Sequence, residues 1–229
     1  MEEKLKIGII LFPDFTQLDL TAPYEVFSRM PGSEIYLISG TLSPVRSERG
    51  LSILPDTLYE DCPVLDVIFL PGGAGITGAL QNEKLISFLK SKAATAKYIT
   101  SVCTGSLVLA SAGLLNGYSA TTHWLSLDLL RLFKEVKVTE QRVVIDRNRI
   151  TGSGITAGID FALSMAKEIY GEDTAKEIQL MLEYNPQPPF DCGYPNQSNQ
   201  ELVSTIKEKR RHIQLKREKI IKSILSENG

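Results

Sequence analysis

The sequence predicts an α/β fold, a mostly parallel sheet with helices on both faces. Two near-continuous apolar runs, residues 5–11 (LKIGIIL) and 66–70 (DVIFL), have the pattern of strands buried on both sides. Such runs alternate with longer helical segments, as the crossovers between parallel strands require. The 229 residues, 43% of them hydrophobic, are enough to bury a substantial core.

Taken in order, residues 5–11 form the first strand, Pro13-Asp14 breaks it, and residues 19–30 form a helix. Residues 34–39 (EIYLIS) are a second strand. Residues 41–58 alternate polar and apolar around Gly50, which predicts a small antiparallel hairpin in place of a crossover helix. The strand at 66–70 runs into Pro71-Gly72-Gly73-Ala74-Gly75, and residues 83–96 are an amphipathic helix. Residues 97–100 (KYIT), β-branched and aromatic, give a strand ending near Val102. An apolar helix follows over 106–112, stopped by Gly113. Residues 124–133 are helical, 142–146 and 149–151 are short strands, and 156–170 is a long helix that 175–182 continues. A proline-rich turn, NPQPPFDCGYP, comes next, and there is no internal repeat.

The bulk composition excludes several classes of function. A net charge of −2 gives no overall attraction to nucleic acid or an anionic membrane. Cys62, Cys103 and Cys192 are odd in number and widely spaced, so neither a disulfide framework nor a CxxC pair is expected, and a reducing compartment is. The start MEEKLKIGIILF has neither a signal-peptide pattern nor a membrane-spanning length, which points to the cytoplasm. A composition shift divides a domain over 1–195 from a basic amphipathic helix over 196–229. Residues 201–229 hold 8 Lys/Arg against 4 Asp/Glu. Leu202, Ile206, Ile213, Ile220 and Ile224 make one apolar stripe along it, expected to dock on the domain or on a second subunit with its charges solvated.

In open parallel sheets, ligands bind beyond the carboxyl ends of the strands. Three elements fall there: Asp19 after the first strand, the PGGAG turn after DVIFL, and Cys103 after KYIT. Cys103 sits at a strand-to-helix turn, where helix N–H groups and the positive dipole end favour a thiolate. The glycines let backbone N–H groups approach a ligand closely. Singly, each is ordinary: a cysteine is often a small buried apolar residue, an aspartate at a helix start often a cap. Their joint placement is what predicts a nucleophilic site. His123, in ATTHW, either faces that site or is structural beside Trp124; His212, Cys62 and Cys192 lack a comparable setting. Neither metal-ligand spacing nor a dinucleotide loop is present, so no metal or cofactor is expected.

Six stretches extend the pattern: DFTQLDLTAPYEVF, FLPGGAG, SVCTGSLVLASAGLL, ATTHW, TGSGITAGIDFAL and QLMLEYNPQPPFDCG. In this order and spacing they resemble the ThiJ/PfpI superfamily, and within it the isonitrile hydratase branch, over residues 5–194. The resemblance implies a flavodoxin-like three-layer sandwich with a nucleophile elbow, a homodimer, and a small-molecule substrate. It implies Cys103 as nucleophile, Asp19 as the acid/base facing it, and Thr104 as a hydroxyl partner. It further implies Gly72 and Gly73, with the Thr104 backbone, as oxyanion-type donors, and hydration of R–N≡C to the N-formamide. In the protease-like branch a histidine follows the cysteine; here Thr104 does, which argues against a peptidase. Two other readings share the residues. One is glyoxalase- or deglycase-like action on reactive aldehydes. The other is a ligand sensor like those joined to DNA-binding domains in AraC-type regulators, against which the short remainder of chain counts.

Overall fold

Strand β1 (Leu5–Ile10) lies near the middle of a seven-stranded sheet in the computed structural model, which describes residues 4–227. Helix α1 (Gln17–Phe27) leads from it to β2 (Ser33–Ser39). The expected hairpin is present as β3 (Val45–Arg46) and β4 (Ser52–Ile53), antiparallel to each other. Beyond it, β5 (Thr57–Leu58) joins the main sheet parallel to β2, a pairing the alternation at 41–58 did not predict. The chain then returns to the other side of β1 with β6 (Val67–Leu70). Helices α2 (Ile76–Ala79) and α3 (Glu83–Ala93), strand β7 (Tyr98–Val102) and helix α4 (Gly105–Ser111) follow.

A small pair, β8 (Ser119–Ala120) and β9 (Lys137–Val138), brackets a 3-10 turn (Trp124–Ser126) and the one-turn α5 (Leu127–Leu130), shorter than the helix expected over 124–133. Strands β10 (Val143–Asp146) and β11 (Arg149–Gly152) complete the sheet in the order β10-β11-β7-β6-β1-β2-β5. Within it only β10 runs antiparallel to its neighbour. Helix α6 (Ala157–Tyr170) and α7 (Glu172–Met181) are separate helices, not one continuing segment. Gly171, at φ +89°, takes a conformation that other residues adopt at a cost and so turns the chain between them. Helix α8 (Gln200–Glu227) is the long basic tail.

The order of strands places β1 and β6 where the chain reverses direction across the sheet, the position at which open α/β sheets form a crevice. Helices α1 and α6 pack together on one layer, and α2, α4, α5 and α8 pack among themselves in another. Phe27 of α1, Phe69 of β6 and Phe161 of α6 knit the first layer to the sheet. Their ring centroids lie 5.5 to 6.2 Å apart, and all three side chains are fully buried. Truncating Phe161 to alanine is expected to cost about 3–5 kcal/mol, read as a lower urea midpoint at unchanged slope.

The apolar stripe of α8 is only partly engaged. Leu202 is exposed, while Ile206, Ile213, Ile220 and Ile224 are half-buried. Val203, Ile221 and, against expectation, Arg217 are the deepest side chains of this helix. The tail therefore docks on its own domain, with one of its charges taken inside.

Candidate functional site

The elbow is built by three restraints. Cys103 has φ +53°, a left-handed conformation that costs a non-glycine residue roughly 1–2 kcal/mol. Its N–H is held by the carbonyls of Gly152 and Ser153 at 3.0 and 2.7 Å, and its own carbonyl accepts from the Thr122 hydroxyl at 2.9 Å. Gly105 explains the small residue two places on: a Cβ there would lie 2.4 Å from the Leu70 carbonyl oxygen, so α4 starts against the end of β6. The cysteine is thus fixed above the switch point by the ends of β6, β7 and β11.

Asp19, on the first turn of α1, is fully buried. Its Oδ2 accepts from the Gly72 N–H at 3.1 Å, and its Oδ1 has no hydrogen-bond partner. Burial pushes its carboxyl up to about 7, against the opposing pull of the neighbouring Cys103 thiol and of the Gly72 N–H that donates to it. Burial, and after it the Asp19 carboxylate, push the Cys103 thiol well above the usual range. The Thr104 N–H and Arg217 pull the other way and do not win. This reverses the thiolate expected from the helix N-terminus, because Cys103 is not exposed above the sheet but nearly covered. At neutral pH the thiol therefore keeps its proton while the carboxyl is near the middle of its titration, so a form with one proton on the pair is well populated.

The glycine turn is not vacant. Gly72 N–H goes to Asp19, Gly73 N–H to the Thr104 Oγ1 at 3.1 Å, and Ala74 N–H to Glu48 Oε2 at 3.1 Å. The two glycine donors expected to meet a ligand anion are thus satisfied by the chain's own oxygens, while the Thr104 N–H faces the Cys103 sulfur. Glu48, on the turn between β3 and β4, also accepts from the Thr16 hydroxyl at 2.9 Å. Gly73, at φ +137°, has no room for a Cβ, which would sit 2.4 Å from the Thr16 nitrogen.

Cys103 and Thr104 open onto a cavity of about 230 Å³. His123, Trp124, Leu125 and Ile155 form one wall. His123 accepts the Leu125 N–H on Nδ1 at 3.2 Å and stacks on Trp124. Burial, with help from Arg217 and Arg210, pushes its pKa down to about 4, so it is a neutral wall residue at pH 7. The opposite wall is α8, through Ile206, Arg210, Ile213, Gln214 and Arg217. Cys62 is buried away from this cavity and Cys192 is exposed.

Residues 5–168 match the DJ-1/PfpI family. The chain belongs to that family. It is 53% identical over 199 residues to the isonitrile hydratase of Pseudomonas putida, a match covering 87% of each chain. It is 33% identical over 185 residues to the transcriptional regulator GbdR of Pseudomonas aeruginosa, 78% of this chain and 50% of the regulator. A ThiJ/PfpI family protein from Pseudomonas syringae has the same fold, with a TM-score of 0.92 at 41% identity. That match covers 96% of this chain and 91% of the other.

The family match ends within α6, so α8 lies outside it although α8 walls the cavity. Arg217, Arg210 and Glu48 were missed from the sequence for two reasons. The two arginines sit in a run of charges that reads as solvated. Glu48 is in a hairpin turn with no periodicity to mark it. The one available signal was the helical spacing of residues 206, 210, 213, 214 and 217, which puts them on a single face.

Proposed function

We propose that this chain hydrates isonitriles, with Cys103 as nucleophile and Asp19 as acid and base. The 53% identity to the Pseudomonas putida isonitrile hydratase carries this reading. The contact between thiol and carboxyl supports it on chemical grounds. The terminal carbon of R–N≡C receives both the proton and the nucleophile, so acid and sulfur must converge on one atom. A carbonyl substrate instead builds charge on oxygen and needs free donors there. The Gly72 and Gly73 N–H groups are already bonded, which favours the isonitrile over aldehyde chemistry.

In the proposed first step the sulfur bonds to the terminal carbon as the shared proton passes to that carbon, giving R–N=CH–S–Cys103 and ionised Asp19. Asp19 takes a proton from water, whose oxygen adds to the carbon, and returns a proton to nitrogen. The C–S bond then breaks and the hydroxyl proton passes to Asp19. R–NH–CHO leaves, and the pair again holds one proton. Gly72 aims the carboxyl through its N–H, Thr104 holds the turn by accepting from Gly73, and His123 is a wall for the R group. A homodimer in the cytoplasm belongs to the same reading. Among the described residues no helix is long and apolar enough to cross a membrane.

The test is turnover of cyclohexyl isocyanide, followed by ultraviolet absorbance. Stoichiometric N-cyclohexylformamide is expected. A folded protein with an intact Cys103 thiol and no turnover would reject the isonitrile and return the choice to aldehydes or ligand sensing.

A further inference from the structure

Arg217 is only 4% exposed, yet no carboxylate pairs with it among the described residues. Its Nη2 donates to the Gly73 carbonyl at 2.6 Å, while its Nε is buried without a partner. A buried guanidinium is costly unless something answers its charge. The groups facing the elbow are few. Glu48, from the β3–β4 turn, bonds Thr16 and Ala74, and its charge acts on Arg217 from across the cavity without pairing with it. His123, beside the 3-10 turn, is neutral. Arg210, two turns earlier on α8, is a second cation on the same wall. The other acidic groups at the elbow are Asp19 on α1 and Cys103 itself. Arg217 and Cys103 line the same cavity and interact electrostatically.

We propose that Arg217 is a positioning residue for the Cys103 thiol. Helix α8 delivers a buried guanidinium that fixes the glycine turn through Gly73 and supplies the positive charge opposite the Cys103–Asp19 pair. The charge is needed twice in the proposed hydration, when sulfur attacks and when it leaves as thiolate from a largely buried position. The anchoring bond spans 144 residues, so the tail is tied to the chemistry and not merely to the surface. The role of the charge in turnover rests on the isonitrile reading. Its effect on the thiol does not.

Alkylation of Cys103, read by mass spectrometry of its peptide across pH, tests the effect on the thiol without any isonitrile. In Arg217→Gln the titration of Cys103 is expected to move upward by about one pH unit, lowering its alkylation rate at pH 7 about tenfold. Arg217→Lys, which keeps the charge, should restore most of the rate. An unshifted titration in Arg217→Gln, with only a lower melting temperature, would make Arg217 a mere strut and overturn the proposal. The wild type supplies an arm that needs no variant. Rates with iodoacetate and with iodoacetamide are compared at Cys103 and at exposed Cys192 in the same molecule. The anionic reagent should be favoured several-fold more at Cys103, and a ratio equal to or below that of Cys192 would overturn the proposal. If Cys103 responds as expected while cyclohexyl isocyanide is not turned over, the charge assignment stands and the isonitrile reading alone falls.

Discussion

Cys103→Ala is expected to abolish isonitrile turnover, by at least about 10⁴-fold, in a protein that still folds. The side chain is small, and its replacement keeps the Cβ that packs beside Gly72, so the loss of stability should be about 1 kcal/mol. The backbone strain at φ +53° is common to both residues and cancels. Turnover of cyclohexyl isocyanide and a thermal melt on the same sample separate the two effects. Activity within tenfold of the wild type would remove the thiol from the mechanism.

Asp19→Asn is expected to change two observables at once. Without a proton to deliver, kcat should fall about 10²- to 10⁴-fold. Stability should change in the opposite sense. The carboxyl titrates near 3.8 when unfolded and at about 7 in the folded protein. Between those values the folded state holds a proton that the unfolded state has lost. The stability this confers is fully present below the unfolded value and disappears as pH rises through about 7. The span is on the order of 4 kcal/mol. His123 works the other way: its folded pKa is depressed to about 4, so its contribution is present above its usual value and lost as pH falls through 4. Comparing the two proteins cancels the histidine. The variant should gain on the wild type in urea unfolding as pH is raised from 5 to 8, and a constant difference would show that Asp19 is not held protonated.

The sheet was legible in the sequence because buried parallel strands leave continuous apolar runs, as at 5–11 and 66–70, and the hairpin because Gly50 interrupts an alternation. The boundary between α6 and α7 was not, since Gly171 is a single residue inside a helical pattern. Its neighbours carry helix-forming residues on both sides. At the site, Asp19, the glycine turn and Cys103 were legible because a parallel sheet sends its strand ends to one edge. The state of the thiol was not. A helix N-terminus is a local feature that lowers a thiol pKa, whereas the burial of Cys103 is a tertiary feature, beside a cavity walled by a helix about a hundred residues later in the chain. Burial outweighs the local dipole here, and no spacing within residues 97–113 records that. The same distance hid Arg217, whose neighbours Lys216, Glu218 and Lys219 are at least partly solvent-exposed.

The burial of Cys103 beside the wall that α8 provides also bears on how long the protein stays competent. Peroxides attack thiolates, and they attack those they can reach. A sulfur stored as its conjugate acid, in a cavity walled by a helix, offers an oxidant little of the charge it attacks. In the proposed hydration, sulfur chemistry begins when a narrow, weakly solvated guest enters the cavity and draws the shared proton onto its own carbon. On that proposal the guest is the switch, and between guests the sulfur is kept in reserve rather than spent on the surrounding medium.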